Sequence, residues 1–234
     1  MKRFYREAAA AEVDGGWQVA LDGRAVKTAG GAPQIVPTRA LAEALAAEWN
    51  AQGETLDPAA FLMRGMADHA IDTVRPDRSA AIAKLLAFGE TDTLCYRADP
   101  DEPLHPRQRE AWEPLLAALE AREGIRFERV SGVMHRAQPP ETLDALRARL
   151  ETFNEFTLAA LQAMASLTAS LCVALAALEN DADAADLWAL ANLEEDWQAD
   201  LWGRDAEAEA RGTARGREFT VAQAFARLAR EQQP

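Results

Sequence analysis

The sequence predicts an α+β protein: a small N-terminal α+β domain with a β-hairpin, residues 1–98, followed by a mainly α-helical bundle domain around a buried apolar helix, residues 99–234. Three observations support this fold class. An Asp-Gly pair between two alternating runs is typical of a hairpin. A segment with three prolines, residues 98–106, is a candidate linker. An uncharged stretch, residues 156–178, is typical of a helix at the centre of a bundle.

The hairpin is predicted at Asp22-Gly23, which separates the alternating residues 17–21 from the alternating residues 24–28. Both turn residues of such a hairpin adopt positive φ, which Asp and Gly tolerate better than most residues. Further short strands are expected over residues 3–6, 35–36, 93–97 and 125–130.

Hydrophobic residues at helical spacing predict the remaining elements. Thr38 is a candidate N-cap for the first helix, Gly203 ends the penultimate one, and Thr220 is a candidate cap for the last. The predicted helices cover residues 38–52, 66–74, 78–88, 106–122, 141–153 and 183–202, with one more after Thr220.

The uncharged stretch over residues 156–178 is long enough at helical rise to cross a bilayer, so a membrane span has to be considered. Polar side chains such as Gln162 and Ser170, a filling of Ala, and acidic flanks without a Lys or Arg cluster argue against it. We therefore expect one continuous, buried helix wrapped by its neighbours, and no stable membrane insertion.

Composition excludes some classes of function and favours one compartment. The formal net charge of −13 argues against nucleic acid as a partner, because binding it needs clustered cations. Cys95 and Cys172 form no CxxC pair, which fits a reducing compartment. Residues 1–16 lack the apolar core of a secretory signal and are too acidic for a transit peptide, so the cytoplasm is expected.

Most enzyme signatures are missing from the sequence. It has no GxGxxG, P-loop or GxSxG motif, and its three histidines form no metal-ligand set, so no cofactor or metal is expected. One alternative stays open: a small-molecule enzyme with a site in an inter-domain cleft near His69, Asp68 and Asp72.

Residues 187–203 have the most informative pattern. On a helical wheel, Trp197 and Leu201 share a broad apolar face, and Glu194 and Gln198 fall in the middle of it. Burying an unpaired carboxylate costs several kcal/mol. Glu194 therefore either pairs with an Arg or Lys inside the bundle or lies on a protein-docking surface rimmed by tryptophans. A catalytic role is less favoured, because no second group of suitable type accompanies it.

Acidic residues cluster around the same segment. From Glu179 to Glu209 there are eleven acidic residues and one basic residue, Arg204. Such a run is commonly a solvated face. The tryptophans within it make it similar to the rim of an interaction surface, with apolar anchors for affinity and charges for selectivity.

Short blocks of residues that follow one another along nearly the whole chain point to a family. They are Arg3-Phe4-Tyr5, Leu21-Asp22-Gly23-Arg24, Lys27-Thr28, Pro37-Thr38, Leu41-Ala42, Glu48-Trp49, Gln52, Asp92, Tyr96-Arg97, Gln108, Trp112-Glu113-Pro114-Leu115, Glu194-Glu195, Trp197-Gln198 and Trp202-Gly203. In these blocks the chain resembles the assembly chaperones of the F-type ATP synthase alpha subunit. The family is expected to have a Gly-Ser pair where this chain has Ala169-Ser170.

The resemblance implies a small α+β domain followed by a helical domain, and no enzymatic activity. It implies binding to the free alpha subunit of the synthase's soluble catalytic head, with its beta-subunit-facing surface masked. A bacterial, cytoplasmic and monomeric member is expected. The partner-binding residues that we select are Glu194, Glu195, Trp197, Gln198, Trp202 and Trp49.

Overall fold

The computed structural model describes residues 1–132, 134–203 and 205–230. The chain forms two compact units that do not follow chain order. The first unit contains Met1–Ala81, Asn154–Ala160 and the chain from Val221 onward, and the second contains Ile82–Phe153 and Leu161–Thr220. The domain boundary after residue 98 stays a prediction.

The first unit contains a small antiparallel sheet. Its strands are β1 (Ala8–Val13), β2 (Gly16–Leu21), β3 (Arg24–Ala25) and β4 (Ile35–Val36), and both β3 and β4 pair with β2 on the side away from β1. The predicted hairpin is confirmed, because Asp22 and Gly23 join β2 to β3 with φ of 47° and 82°. The predicted edge strand at residues 35–36 is confirmed as β4.

The longest pairing in this sheet was not predicted. We expected a strand over residues 3–6, but the first strand is β1, which pairs with β2 over its whole length. Its Ala-rich sequence has little intrinsic strand preference, so packing against β2 and the following helix decides its conformation. Gly16 is required beside β4, because a Cβ there would collide with the carbonyl oxygen of Val36.

The first helix, α1 (Arg39–Asn50), begins and packs as predicted. The Thr38 hydroxyl accepts a hydrogen bond from the backbone N–H of Leu41, so it is the N-cap. One face of α1 buries Leu41, Leu45 and Trp49 against the sheet. Helices α2 (Leu62–His69), continued by a π-helical turn over Ala70–Val74, and α3 (Arg78–Glu90) confirm the next two predicted helices.

The later elements are mainly helical, which confirms the predicted fold class. They are α4 (Leu104–Glu123), α5 (Pro140–Glu151), α6 (Glu155–Thr168), α7 (Leu171–Ala176), α8 (Ala184–Ala191), α9 (Leu193–Trp202) and α10 (Ala206–Ala229). Two short strands, β5 (Tyr96–Arg97) and β6 (Val130–Ser131), pair in parallel.

Three predicted boundaries in this part of the chain are wrong. Most of the strand expected over residues 93–97 is a 3₁₀ turn, because Asp92 accepts a hydrogen bond from the N–H of Leu94 and caps it. The strand expected over residues 125–130 is reduced to β6. Thr220 caps nothing: it lies inside α10, whose first turn is capped by the carboxylate of Asp205.

The uncharged stretch is largely buried as predicted, but it is not one continuous helix. It divides into α6 and α7 at Ala169, which has a φ of 50°. Ser170 caps α7 by accepting from the N–H of Val173, and the fully buried Asp92 accepts from the Ser170 hydroxyl at 2.7 Å and from the N–H of Cys172 at 2.9 Å. A residue with left-handed backbone followed by a capping serine ends one helix and starts the next.

Helix length and polarity settle the question of a membrane span for the described ranges. Over residues 1–132, 134–203 and 205–230, every helix is too short or too polar to cross a bilayer.

The helix predicted over residues 183–202 is also two helices. Asn192 has a φ of −97° and a ψ of 14°, and its side-chain amide donates to the carbonyl oxygen of Trp188, ending α8. A single helical wheel drawn across Asn192 therefore does not describe which side chains of α8 and α9 share a face. Leu201, which the wheel placed on the apolar face, is 58% exposed.

Candidate functional site

Helix α9 is largely exposed. No residue of α9 is buried, and Trp202 at its end is 79% exposed. Gly203 follows with a φ of 97° and stops the helix. Five of the six selected residues, Glu194, Glu195, Trp197, Gln198 and Trp202, lie together on α9, and we call them the α9 surface.

The first turn of α9 is acidic, and this explains why a new helix starts after Asn192. Glu194, Glu195 and Asp196 stand where the helix dipole and the free backbone N–H groups favour negative charge. The same charges give the α9 surface its negative potential. The base in the surrounding acidic run, Arg204, lies outside the described residues.

Glu194 is held by an amide rather than by a cation. Its Oε1 accepts a hydrogen bond of 2.5 Å from Nε2 of Gln108 on α4, and Gln108, fully buried, accepts at Oε1 from the N–H of Ala98 at 2.8 Å. Among the described residues no Arg or Lys forms a salt bridge with Glu194. The internal Glu–Arg pair considered from the sequence is therefore absent from the described part of the chain.

Partial burial is the main influence on the charge state of Glu194. It raises the pKa of this carboxyl above its ordinary value, and the neighbouring charge of Glu195 raises it further, while the hydrogen bond from Gln108 lowers it. A carboxylate in this setting gains from any cationic or hydrogen-bond-donating group that a partner brings close to it.

Trp197 is half-buried against α4. The guanidinium of Arg107 lies 4.5 Å from its ring centroid, in cation–π geometry. The fully buried Trp112, also on α4, donates a hydrogen bond from Nε1 to the carbonyl oxygen of Leu190 at 2.9 Å, near the end of α8. Helix α4 is thus the support on which α8 and α9 rest.

Sequence reasoning missed these supporting roles of Arg107 and Gln108. The signal was present in part: Gln108 and Trp112 stand four residues apart, on one face of α4. Nothing in the helical pattern, however, indicates that this face meets α9.

Trp49, the sixth selected residue, is in the other unit. It is 5% exposed and packs edge-to-face on Tyr5 and against Phe61, and its carbonyl oxygen accepts a hydrogen bond from the Tyr5 hydroxyl. The structure therefore gives Trp49 a packing role in the core of the first unit and does not group it with the α9 surface.

The residues of the alternative enzyme site have structural partners. Asp72 accepts from the Thr28 hydroxyl and from the N–H of Gly30, both at 2.8 Å. Asp68 accepts from the Gln34 side chain at 2.5 Å and from the N–H of Ala29 at 3.2 Å. The hydrogen bonds to Asp68 hold the loop after β3 against α2, and those to Asp72 hold it against the π-helical turn that follows α2. Among the described residues no group of His, Cys, Asp and Glu could hold a metal ion.

Comparison with known proteins gives one consistent answer. Residues 2–120 match the family model described as ATP12 chaperone protein. The mitochondrial protein atp12 of Schizosaccharomyces pombe is 27% identical over 214 residues, which cover 86% of this chain and 74% of that protein.

Solved structures extend the match to the whole fold. Atp12 from Paracoccus denitrificans is 37% identical, with 98% of each chain covered and a TM-score of 0.91. A protein from Agrobacterium tumefaciens is 38% identical, with a TM-score of 0.94, 98% of this chain covered and 86% of the other. The chain belongs to the ATP12 family of chaperones, which are not enzymes and which assist assembly of the F1 part of ATP synthase.

Proposed function

We propose that this chain binds the free alpha subunit of the F-type ATP synthase through the α9 surface and masks the alpha-subunit face that later meets the beta subunit. The observation that supports this most is the exposure of Trp202 beside the half-buried Trp197 on a helix that has no buried residue. Exposed tryptophans are costly in water and are the residue type most often found as anchors in protein interfaces.

The chemistry of the surface fits a temporary cover. A subunit of a ring exposes large apolar interfaces until its neighbours arrive, and such surfaces aggregate. An assembly chaperone has to bind them and later release them. Two tryptophan anchors surrounded by carboxylates supply moderate affinity with a strong electrostatic part, rather than the extensive apolar area of a permanent interface.

The test is suppression of aggregation of the isolated alpha subunit. We expect purified chain to reduce light scattering of the alpha subunit and to co-elute with it in size-exclusion chromatography. The variant Glu194→Lys is expected to lose both effects while its circular dichroism stays that of the wild type. Asp144→Lys, an equal charge change at an exposed position of α5, is the control and is expected to retain both.

Two results would end this proposal. One is wild-type protein that neither protects nor co-elutes with the alpha subunit. The other is an unfolded Glu194→Lys variant together with a Trp197→Ala, Trp202→Ala double variant that folds and protects as well as the wild type, since the α9 surface would then have only a structural role.

We also propose the cytoplasm as the compartment in which the chain acts. Cys95 and Cys172 are buried and unbridged, which supports the reducing cytoplasm as the place of action. The monomeric state stays a prediction, to be measured by sedimentation.

A further inference from the structure

The first unit contains an apolar pocket that the α9 surface does not involve. It has a volume of about 480 Å³, within the range of roughly 300–1,000 Å³ typical of ligand-binding sites. Its walls are formed by apolar side chains: Met1, Phe4, Leu21, Val26, Trp49, Leu56, Pro58 and Phe61. Met1 and Phe4 are 77% and 62% exposed, so the pocket presents apolar surface directly to solvent.

The rim of this pocket is cationic. Arg24 and Lys27 line it from β3 and the residues after it, both are exposed, and neither forms a salt bridge with a described residue. Arg64 completes the rim: its guanidinium lies 5.0 Å from the Trp49 ring centroid and 5.3 Å from that of Phe61. The described residues that line the pocket include three cations and no carboxylate, in a chain of net charge −13.

Carboxylates beside this rim accept hydrogen bonds from other groups, and Glu48, which accepts from the backbone N–H groups of Met63 and Arg64, is one of them. Asp22, next to Arg24, accepts hydrogen bonds from the backbone N–H groups of Arg6 and Glu7. Asp68, 3.7 Å from Arg64, is engaged by Gln34 and Ala29 as described above. None of these carboxylates is among the residues that line the pocket.

We propose that this pocket binds a segment of a partner protein that has a large apolar side chain next to acidic residues. The apolar walls take the side chain, and the gain comes from removing both surfaces from water. Arg24, Lys27 and Arg64 bind the flanking carboxylates and reject basic segments, because a desolvated like charge costs far more than a missing contact.

This second site has the opposite charge preference to the α9 surface. The α9 surface selects cationic neighbours, whereas the pocket selects anionic ones. The pocket therefore adds a binding function to the one proposed above, and it can be tested without any synthase subunit.

The experiment uses labelled peptides and the full chain. Fluorescence anisotropy is measured with the peptide EDFLDE, with KKFLKK, in which the acids are replaced by lysine, and with EDGSDE, in which the apolar pair is removed. We expect EDFLDE to bind at micromolar to millimolar concentration and the other two to bind at least tenfold more weakly. The double variant Arg24→Glu, Lys27→Glu is expected to bind EDFLDE at least tenfold more weakly than the wild type.

The controls separate the pocket from general effects of charge and of folding. Lys84→Glu changes charge at an exposed position of α3 outside the pocket and is expected to bind EDFLDE like the wild type. Phe4→Ala removes an exposed wall of the pocket and is expected to weaken binding without changing the circular dichroism spectrum.

The proposal is overturned if EDFLDE does not bind, if KKFLKK binds equally well, or if Lys84→Glu weakens binding as much as the double variant. A medium-chain fatty acid, decanoate, is tested as a competitor. If decanoate binds in the pocket and EDFLDE does not, the occupant is a small apolar carboxylate rather than a protein segment, and the proposal is wrong. Protection of the alpha subunit is not measured in this experiment, so failure of the function proposed above would leave the peptide-binding result unchanged.

Discussion

Ala169 shows how one residue determines the course of the most buried segment. It has a φ of 50°, a left-handed conformation that costs an L-residue with a Cβ roughly 1–2 kcal/mol and costs glycine almost nothing. Its carbonyl oxygen accepts from both the N–H and the hydroxyl of Thr93, which holds the turn in place. The Gly-Ser pair expected from the family resemblance has its glycine at this position.

We predict that Ala169→Gly stabilises the protein, raising the free energy of unfolding by about 0.5–1 kcal/mol. Ala169 is exposed, so the substitution removes no buried contact. The measurement is urea denaturation, with Ala163→Gly inside α6 as the control, expected to destabilise by about 1 kcal/mol. Equal losses for both variants would show that the positive φ imposes no strain.

Glu194 has a pH dependence that follows from its raised pKa. A carboxyl whose pKa is higher in the folded state than its ordinary 4.5 binds protons more tightly when folded. Its contribution to stability therefore falls as the pH rises from about 4.5 through the folded-state pKa. Above that range the charged form is a constant cost to the fold.

We predict that Glu194→Gln is at least as stable as the wild type at pH 7. Glutamine can still accept from Gln108 and does not pay for burial of a charge. The difference in Tm between variant and wild type is expected to shrink as the pH is lowered to about 4. A difference that is constant over this range, or that matches the exposed control Asp144→Asn, would show that burial does not perturb Glu194.

At the scale of elements, two helices that the sequence predicted as continuous are each broken by one residue. The hydrophobic pattern runs through Ala169 and Asn192 without interruption, because neither break changes which neighbours are apolar. The signals lay elsewhere: Ser170 is a good N-cap, Asn192 is a good helix end, and the acidic run after Asn192 is typical of a helix start. A prediction from hydrophobic composition therefore passes over capping residues that lie inside an apolar run.

The different burial of the tryptophans on α4 and α9 predicts unequal effects of their removal on stability. Trp112→Ala on α4 is expected to destabilise the protein by about 3–5 kcal/mol, because Trp112 is fully buried and its N–H bond to Leu190 is lost. Trp202→Ala is expected to change stability by no more than about 0.5 kcal/mol, because its side chain is exposed.

Thermal denaturation followed by circular dichroism measures both variants. If Trp202→Ala lowered Tm as much as Trp112→Ala, Trp202 would be a structural residue and the α9 surface would lose its main anchor. If Trp202→Ala left Tm unchanged and abolished binding to the alpha subunit, α4 would be the structural support and α9 the helix that recognises the partner.

At the scale of the whole molecule, the sequence predicted the fold class and most elements, because they depend on local signals. Thr38 marked the start of α1, and Asp22-Gly23 marked the hairpin. Strand β1 could not be predicted from its alanines, since its conformation depends on pairing with β2. The contact of Gln108 with Glu194 joins residues far apart in sequence, so no local pattern indicates it.

The charge distribution of the whole chain predicts how ionic strength acts on the α9 surface. Acidic residues surround it, so association with a partner that is basic at the contact is accelerated at low salt. We expect the association rate with the alpha subunit to fall steeply as salt rises, with a smaller change in dissociation rate. Surface plasmon resonance at several salt concentrations measures both rates. An association rate that did not change with salt would show that the acidic residues around the α9 surface do not attract the partner.

Site-specific photo-crosslinking measures whether the α9 surface contacts the free alpha subunit. A photoreactive phenylalanine analogue in place of Trp202 is expected to crosslink to the alpha subunit, and the same analogue in place of the exposed Lys84 is not. The crosslink is expected to disappear when the beta subunit is added and the ring assembles. Crosslinking from position 84 and none from position 202 would mean that the α9 surface does not contact the alpha subunit.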